Sequence, residues 1–136
     1  MSFLKTFALL LILGSSFVAC KKDDNDKPGS NPDAAPFIGK WTGTFGYDNS
    51  NSGYFFAINV KADGVIQELN ASGVAKGQGT WTLQGTTLKG SYKMLFSPFN
   101  QYSVITKVNA STGKMEGSWG YDGDGGDGGQ ILLTKQ

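Results

Sequence analysis

From residue 37 onward, apolar and polar positions alternate in short runs that glycine or asparagine turns separate. A period of two marks strands with one buried face, and no window sustains the 3.6-residue period of a helix. Eight strands are expected. Lys40–Tyr47 sets Trp41, Gly43, Phe45 and Tyr47 on one face, and Tyr54–Lys61 does the same with Tyr54, Phe56, Ile58 and Val60. After the turn Ala62-Asp63-Gly64 come Val65–Asn70, which alternates poorly, and Gly79–Leu83, with Trp81 and Leu83 opposing Thr80 and Thr82. Past Gln84-Gly85, Thr87–Leu95 sets Leu88, Tyr92 and Met94 against Lys89, Ser91 and Lys93. Gln101–Asn109 sets Tyr102, Val104 and Val108 against Ser103 and Lys107. Lys114–Trp119 sets Met115 and Trp119 against Lys114 and Glu116, and Gln130–Thr134 ends the series.

Strands with one polar face need a shared core, and residues 37–136 are enough for one domain. Hairpin-length connections predict an all-β, eight-stranded antiparallel up-and-down β-barrel, whose closure removes exposed edges. The alternative is an open β-sandwich. Glycines at 43, 90 and 117 allow the strong bending that a small barrel requires.

The segment before this domain is built differently. Lys5 followed by Phe7-Ala8-Leu9-Leu10-Leu11-Ile12-Leu13 has the charged and apolar regions of a secretion signal over residues 1–19. The apolar run falls short of the roughly 20 residues that span a bilayer as a helix. Val18-Ala19-Cys20 resembles the lipobox of bacterial lipoproteins. That resemblance implies cleavage before Cys20 and acyl chains, palmitate among them, on the new terminus. Several chains at about 0.8 kcal/mol per buried CH₂ anchor stably to a membrane. Residues 20–36 hold three prolines and no apolar periodicity, so they read as a lipidated terminus and flexible linker. Cys20-Lys21-Lys22-Asp23-Asp24 is similar to the start of outer-membrane lipoproteins of the Bacteroidota. In that group such charges after the cysteine accompany surface display.

Gly39-Lys40-Trp41 at the start of the first strand resembles the G-x-W opening of lipocalin-like and avidin-like barrels. The resemblance implies a calycin-type barrel that takes a ligand at one end. Lipocalins usually pack an arginine over that tryptophan, and this chain has none. The avidin ligand-binding set has no residue-by-residue match, so biotin is not implied.

Composition narrows the chemistry. The chain has no histidine and no arginine, and its 12 cationic residues are all lysines. This excludes Ser-His-Asp and Cys-His nucleophile systems, His-ligated zinc and bidentate arginine clamps on phosphate or carboxylate. One cysteine makes no internal disulfide. Without Lys5 the mature balance is 11 lysines against 11 acids, which argues against a nucleic-acid footprint. Glu68 and Glu116 are the only glutamates, and Glu116 falls on a polar face. A binding protein is therefore expected rather than an enzyme.

Tyr54, Trp81, Tyr92, Tyr102 and Trp119 are the expected lining of a pocket for a small apolar or sugar-like ligand. Phe96, Phe99 and Tyr121 are expected as loop contacts. Asp122, Asp124 and Asp127 present alternating carboxylates on a glycine-rich loop, the way calcium loops present oxygen, but match neither the EF-hand nor the tandem nonapeptide pattern. No cofactor is otherwise implied. The leading expectation is a lipid-anchored outer-membrane protein with a ligand-binding barrel. The alternative is a non-enzymatic interaction module with a filled barrel, an inhibitor or a surface-complex subunit with an envelope-protein partner.

Overall fold

The computed structural model describes residues 27–49, 53–122 and 126–136. The signal segment, Cys20 and Asp124 lie outside the described residues. The strands are β1 (Gly39–Phe45), β2 (Tyr54–Val60), β3 (Val65–Leu69), β4 (Ala75–Gln84), β5 (Thr87–Met94), β6 (Gln101–Val108), β7 (Lys114–Tyr121) and β8 (Gly129–Lys135). Each pairs antiparallel with its sequence neighbours, and β1 pairs with β8 from Trp41↔Lys135 to Phe45↔Ile131. The sheet is thus a closed up-and-down barrel, and the open-sandwich alternative does not hold. Alternation explains the burial: Ile58, Val60, Ile66, Leu88, Val104, Met115 and Leu133 point inward and are almost fully buried.

The turns follow local side-chain chemistry. The Asn70 carboxamide oxygen accepts from the N–H groups of Ser72 and Val74, both at 2.9 Å, and Asn109 accepts from Ser111 in the same way. These are Asx turns, in which a short side chain replaces a backbone partner.

Alternating strand directions give the barrel two unlike ends. One end is filled. Trp41 and Trp81 are both about 1 % exposed there, and each indole N–H is satisfied at 2.8 Å, by the carbonyls of Phe37 and Lys61. Pro28–Ser30 and Pro32–Ala34 form two 3-10 turns across this end, with Gly29 N–H donating to the Ala62 carbonyl at 3.2 Å. Ala34 and Phe37 are buried in the core. Residues 28–36 of the expected flexible linker over 20–36 therefore form a strap on the barrel. Proline sets φ for the tight turns, and the residues they carry cover indole surface that would otherwise meet water. Lys135 Nζ lies 5.5 Å from the centre of the Trp41 ring system, a cation over an aromatic face.

Strand coiling rests on glycine at two close approaches. A Cβ at Gly43 would collide with the Leu132 carbonyl oxygen, and one at Gly117 with that of Ile105. At Gly90 a Cβ would instead meet the Ile66 and Val104 side chains at 2.9 and 3.0 Å, so this glycine makes room in the core. Gly117→Ala is expected to lower stability by about 1–3 kcal/mol, the usual cost of overpacking, read as a lower urea midpoint. A variant with the parent midpoint would show that β6 and β7 do not approach so closely.

Candidate functional site

The other end of the barrel is not filled. Its last inward positions form a half-open cup of about 100 Å³. Phe45 and Tyr47 come from β1 and the turn after it, Phe56 from β2 and Glu68 from β3. Tyr92 from β5, Tyr102 from β6, and Trp119 with Tyr121 from β7 complete the wall.

Trp119 is the hub. Its ring lies 5.5 Å from Phe45, 5.6 Å from Tyr47 and 5.1 Å from Tyr121, at interplanar angles of 82°, 78° and 68°. Edge-to-face contacts of this kind add about 0.5–1.5 kcal/mol each beyond area burial. The indole N–H donates to the Gly46 carbonyl at 2.9 Å, which ties β7 to the β1–β2 loop. Gly128 lies against the ring so closely that any Cβ there would overlap its six-membered half.

Glu68 is the acidic group of the cup, and only 7 % of it is exposed. The register of β3 on β4 passes from Glu68↔Gly77 to Leu69↔Ala75, which leaves Lys76 as the extra residue of a bulge. Its ammonium reaches Glu68 Oε1 at 2.8 Å. The Tyr92 hydroxyl hydrogen-bonds the same carboxylate. Burial holds the Tyr92 phenol well above its ordinary value of 10.0, and the negative charge and hydrogen bond of Glu68 act in the same direction.

The expected pocket residues divide. Tyr92, Tyr102 and Trp119 line the cup together. Tyr121, expected as a loop contact, is part of the wall. Trp81 does not belong to it: β4 runs away from the cup, so its indole lies in the filled end, bound to Lys61. Tyr54 faces inward but stands at the outermost pair of β2, 53 % exposed, and stacks on Phe45 at 5.3 Å outside the cavity. Phe96 and Phe99 are exposed in the β5–β6 loop at the same end and do not line the cup.

The carboxylates of the glycine-rich loop are placed in part. Asp122 is exposed with φ of 59°, and Asp127 accepts the Tyr121 N–H at 3.3 Å. Among the described residues no group of three acidic, Cys or His side chains gathers as a metal site. Phe45, Tyr47, Phe56 and Glu68 were not expected in the pocket. Alternation already put the three aromatics on inward faces; height along the barrel axis was the missing coordinate. No family model, curated protein or solved structure matches the chain.

The Tyr92 environment has a consequence for alkaline stability. Above pH 10 the unfolded chain releases this proton while the folded barrel keeps it. Stability therefore falls as pH rises, by up to about 1.4 kcal/mol per pH unit from this group. Tyr92→Phe is expected to be about 1 kcal/mol less stable at neutral pH, with the deficit narrowing above pH 10. Urea midpoints measured from pH 7 to 11 give the comparison, and a constant deficit would mean that Tyr92 ionises as an ordinary phenol.

Proposed function

We propose that this is a lipid-anchored protein of the bacterial outer membrane whose barrel binds one ring-sized apolar or sugar-like group in its open end. The observation that carries this reading is the cup itself, seven aromatic side chains and one carboxylate around a space open to solvent. At about 100 Å³ it is small beside the roughly 300–1,000 Å³ of pockets that enclose a drug-sized ligand, so it suits a single group and not a long acyl chain. The cup holds a carboxylate already in an ion pair and no histidine, which favours binding over catalysis.

Anchorage rests on the lipobox at Cys20. The described chain enters the barrel at its filled end, where Gly29 bonds to Ala62. A tether from Cys20 would join that end, with the cup opening at the far end of the barrel. A second reading rests on the rim. Leu95, Phe96, Phe99, Val74 and Phe55 are all exposed at the open end, which supports a contact surface for an envelope protein.

Titration with cyclohexanol or methyl glucoside is expected to shift Trp119 emission saturably, with the same response in Trp81→Phe. An unchanged spectrum with both probes in the folded protein would overturn an apolar or sugar-like ligand for the cup. For the anchor, Cys20→Ala is expected to move the protein from the membrane fraction to the soluble one. A variant that stays with the membrane would end the lipoprotein reading.

A further inference from the structure

We propose that the group taken by this cup is an organic cation, an alkylated ammonium such as a trimethylammonium head. The inference rests on the cup being a binding site and names the chemistry of its ligand.

Charge comes first. The lining holds one carboxylate and no lysine, and the chain has no arginine. An anion would lose its water there without gaining a cationic partner, and would meet Glu68. The described residues of the loops around the opening include Asp48, Asp122 and Asp127 and not one lysine. Two described lysines stand near this end, Lys76, which is held by Glu68, and Lys93, which is exposed on the outer face of β5, and neither lines the cavity. The field at the mouth therefore draws cations in.

Hydrogen-bonding capacity comes second. A sugar needs several free donors and acceptors at its hydroxyls. The Trp119 N–H is committed to Gly46, and the Tyr92 hydroxyl to Glu68. The Tyr102 hydroxyl accepts from the Asn100 carboxamide at 3.3 Å, which leaves its own O–H and the hydroxyls of Tyr47 and Tyr121 as the remaining polar groups of the wall. What the wall offers in quantity is π surface.

Geometry comes third. Tyr47 and Tyr121 stand at 78° and 68° to Trp119, like adjoining walls of a box. Steeply inclined rings lining one small space supply the π surface on which quaternary ammonium groups are bound. Glu68, fixed by Lys76 and Tyr92, adds a carboxylate to that space. An ammonium with short alkyl groups buries apolar surface against the rings and needs no hydrogen bond.

The test pairs choline with its neutral isostere, 3,3-dimethylbutan-1-ol, and with methyl glucoside, using calorimetry and Trp119 emission on the whole protein. Choline is expected to bind at least tenfold more tightly than the alcohol, a difference of about 1.4 kcal/mol. Glu68→Gln is expected to lower choline affinity several-fold and leave the alcohol unchanged. Tyr121→Leu, at an exposed rim position where folding is not at stake, keeps apolar area but removes a ring and is expected to act in the same direction. Phosphatidylcholine vesicles separate the two sources of such a group. Capture that free choline competes away assigns a lipid headgroup, and choline binding without capture assigns a free cation. Equal affinity for choline and the alcohol, or binding of methyl glucoside alone, would overturn the cation inference and leave the cup a ligand site. Silence toward all three probes would remove both.

Discussion

The pairing of β1 with β8 forces every inward side chain of eight strands into one narrow interior. A closed sheet of this size holds a fixed volume, so each strand competes for the same axis. Large residues are accommodated only where small ones face them. Gly43 and Gly117 let the backbones close in, and Gly90 yields its place to Ile66 and Val104. The aliphatic residues around Ile58, Leu88, Val104 and Leu133 then fill the middle.

The three tryptophans show how one residue type serves both ends. Each buries its ring and hands its N–H to a backbone carbonyl: Trp41 to Phe37, Trp81 to Lys61 and Trp119 to Gly46. A buried indole without such a partner would be costly, so each tryptophan also pins a loop or strap to the barrel. At the filled end those carbonyls come from the N-terminal strap and the β2–β3 turn, and aliphatic residues pack below the rings. At the open end Trp119 is met by Phe45, Tyr47, Tyr102 and Tyr121, which line a space with it. The difference lies in the neighbours and not in the tryptophan.

Much of this was legible in the residues. Period-two alternation and the glycine and asparagine turns place all eight strands within a few residues of their observed limits, because each strand has one wet face and a short connection. The Gly39-Lys40-Trp41 opening agreed with a barrel. What alternation does not encode is height along the axis. Trp81 and Trp119 look alike in sequence, each preceded by glycine and a small polar residue, yet their strands run in opposite directions and bring them to opposite ends. Tyr54 and Phe56 share an inward face, and only the shorter reach from the core puts Phe56 in the wall. Glu68 was ambiguous because a bulge brings in Lys76 as its partner, and bulges carry no period. The strap over 28–36 was hidden by its prolines, whose composition is that of a linker; Ala34 and Phe37 are the two residues that bury it.

Glu68 is the residue that the fold itself does not require. Its carboxylate is buried while the Lys76 ammonium that pairs with it is partly exposed, so the pair offsets the cost of taking Glu68 out of water and adds little beyond that. Position 68 is buried on the same inward face as Ile66, where a leucine would extend the core. The chain instead places a carboxylate there, secures it with Lys76 and Tyr92, and surrounds it with rings that leave room beside it. Stability gives no reason for that arrangement, since desolvation of the carboxylate opposes it. A ligand that needs a negative charge behind an aromatic wall does give one, and it accounts in the same stroke for the acidic, lysine-free loops at the mouth.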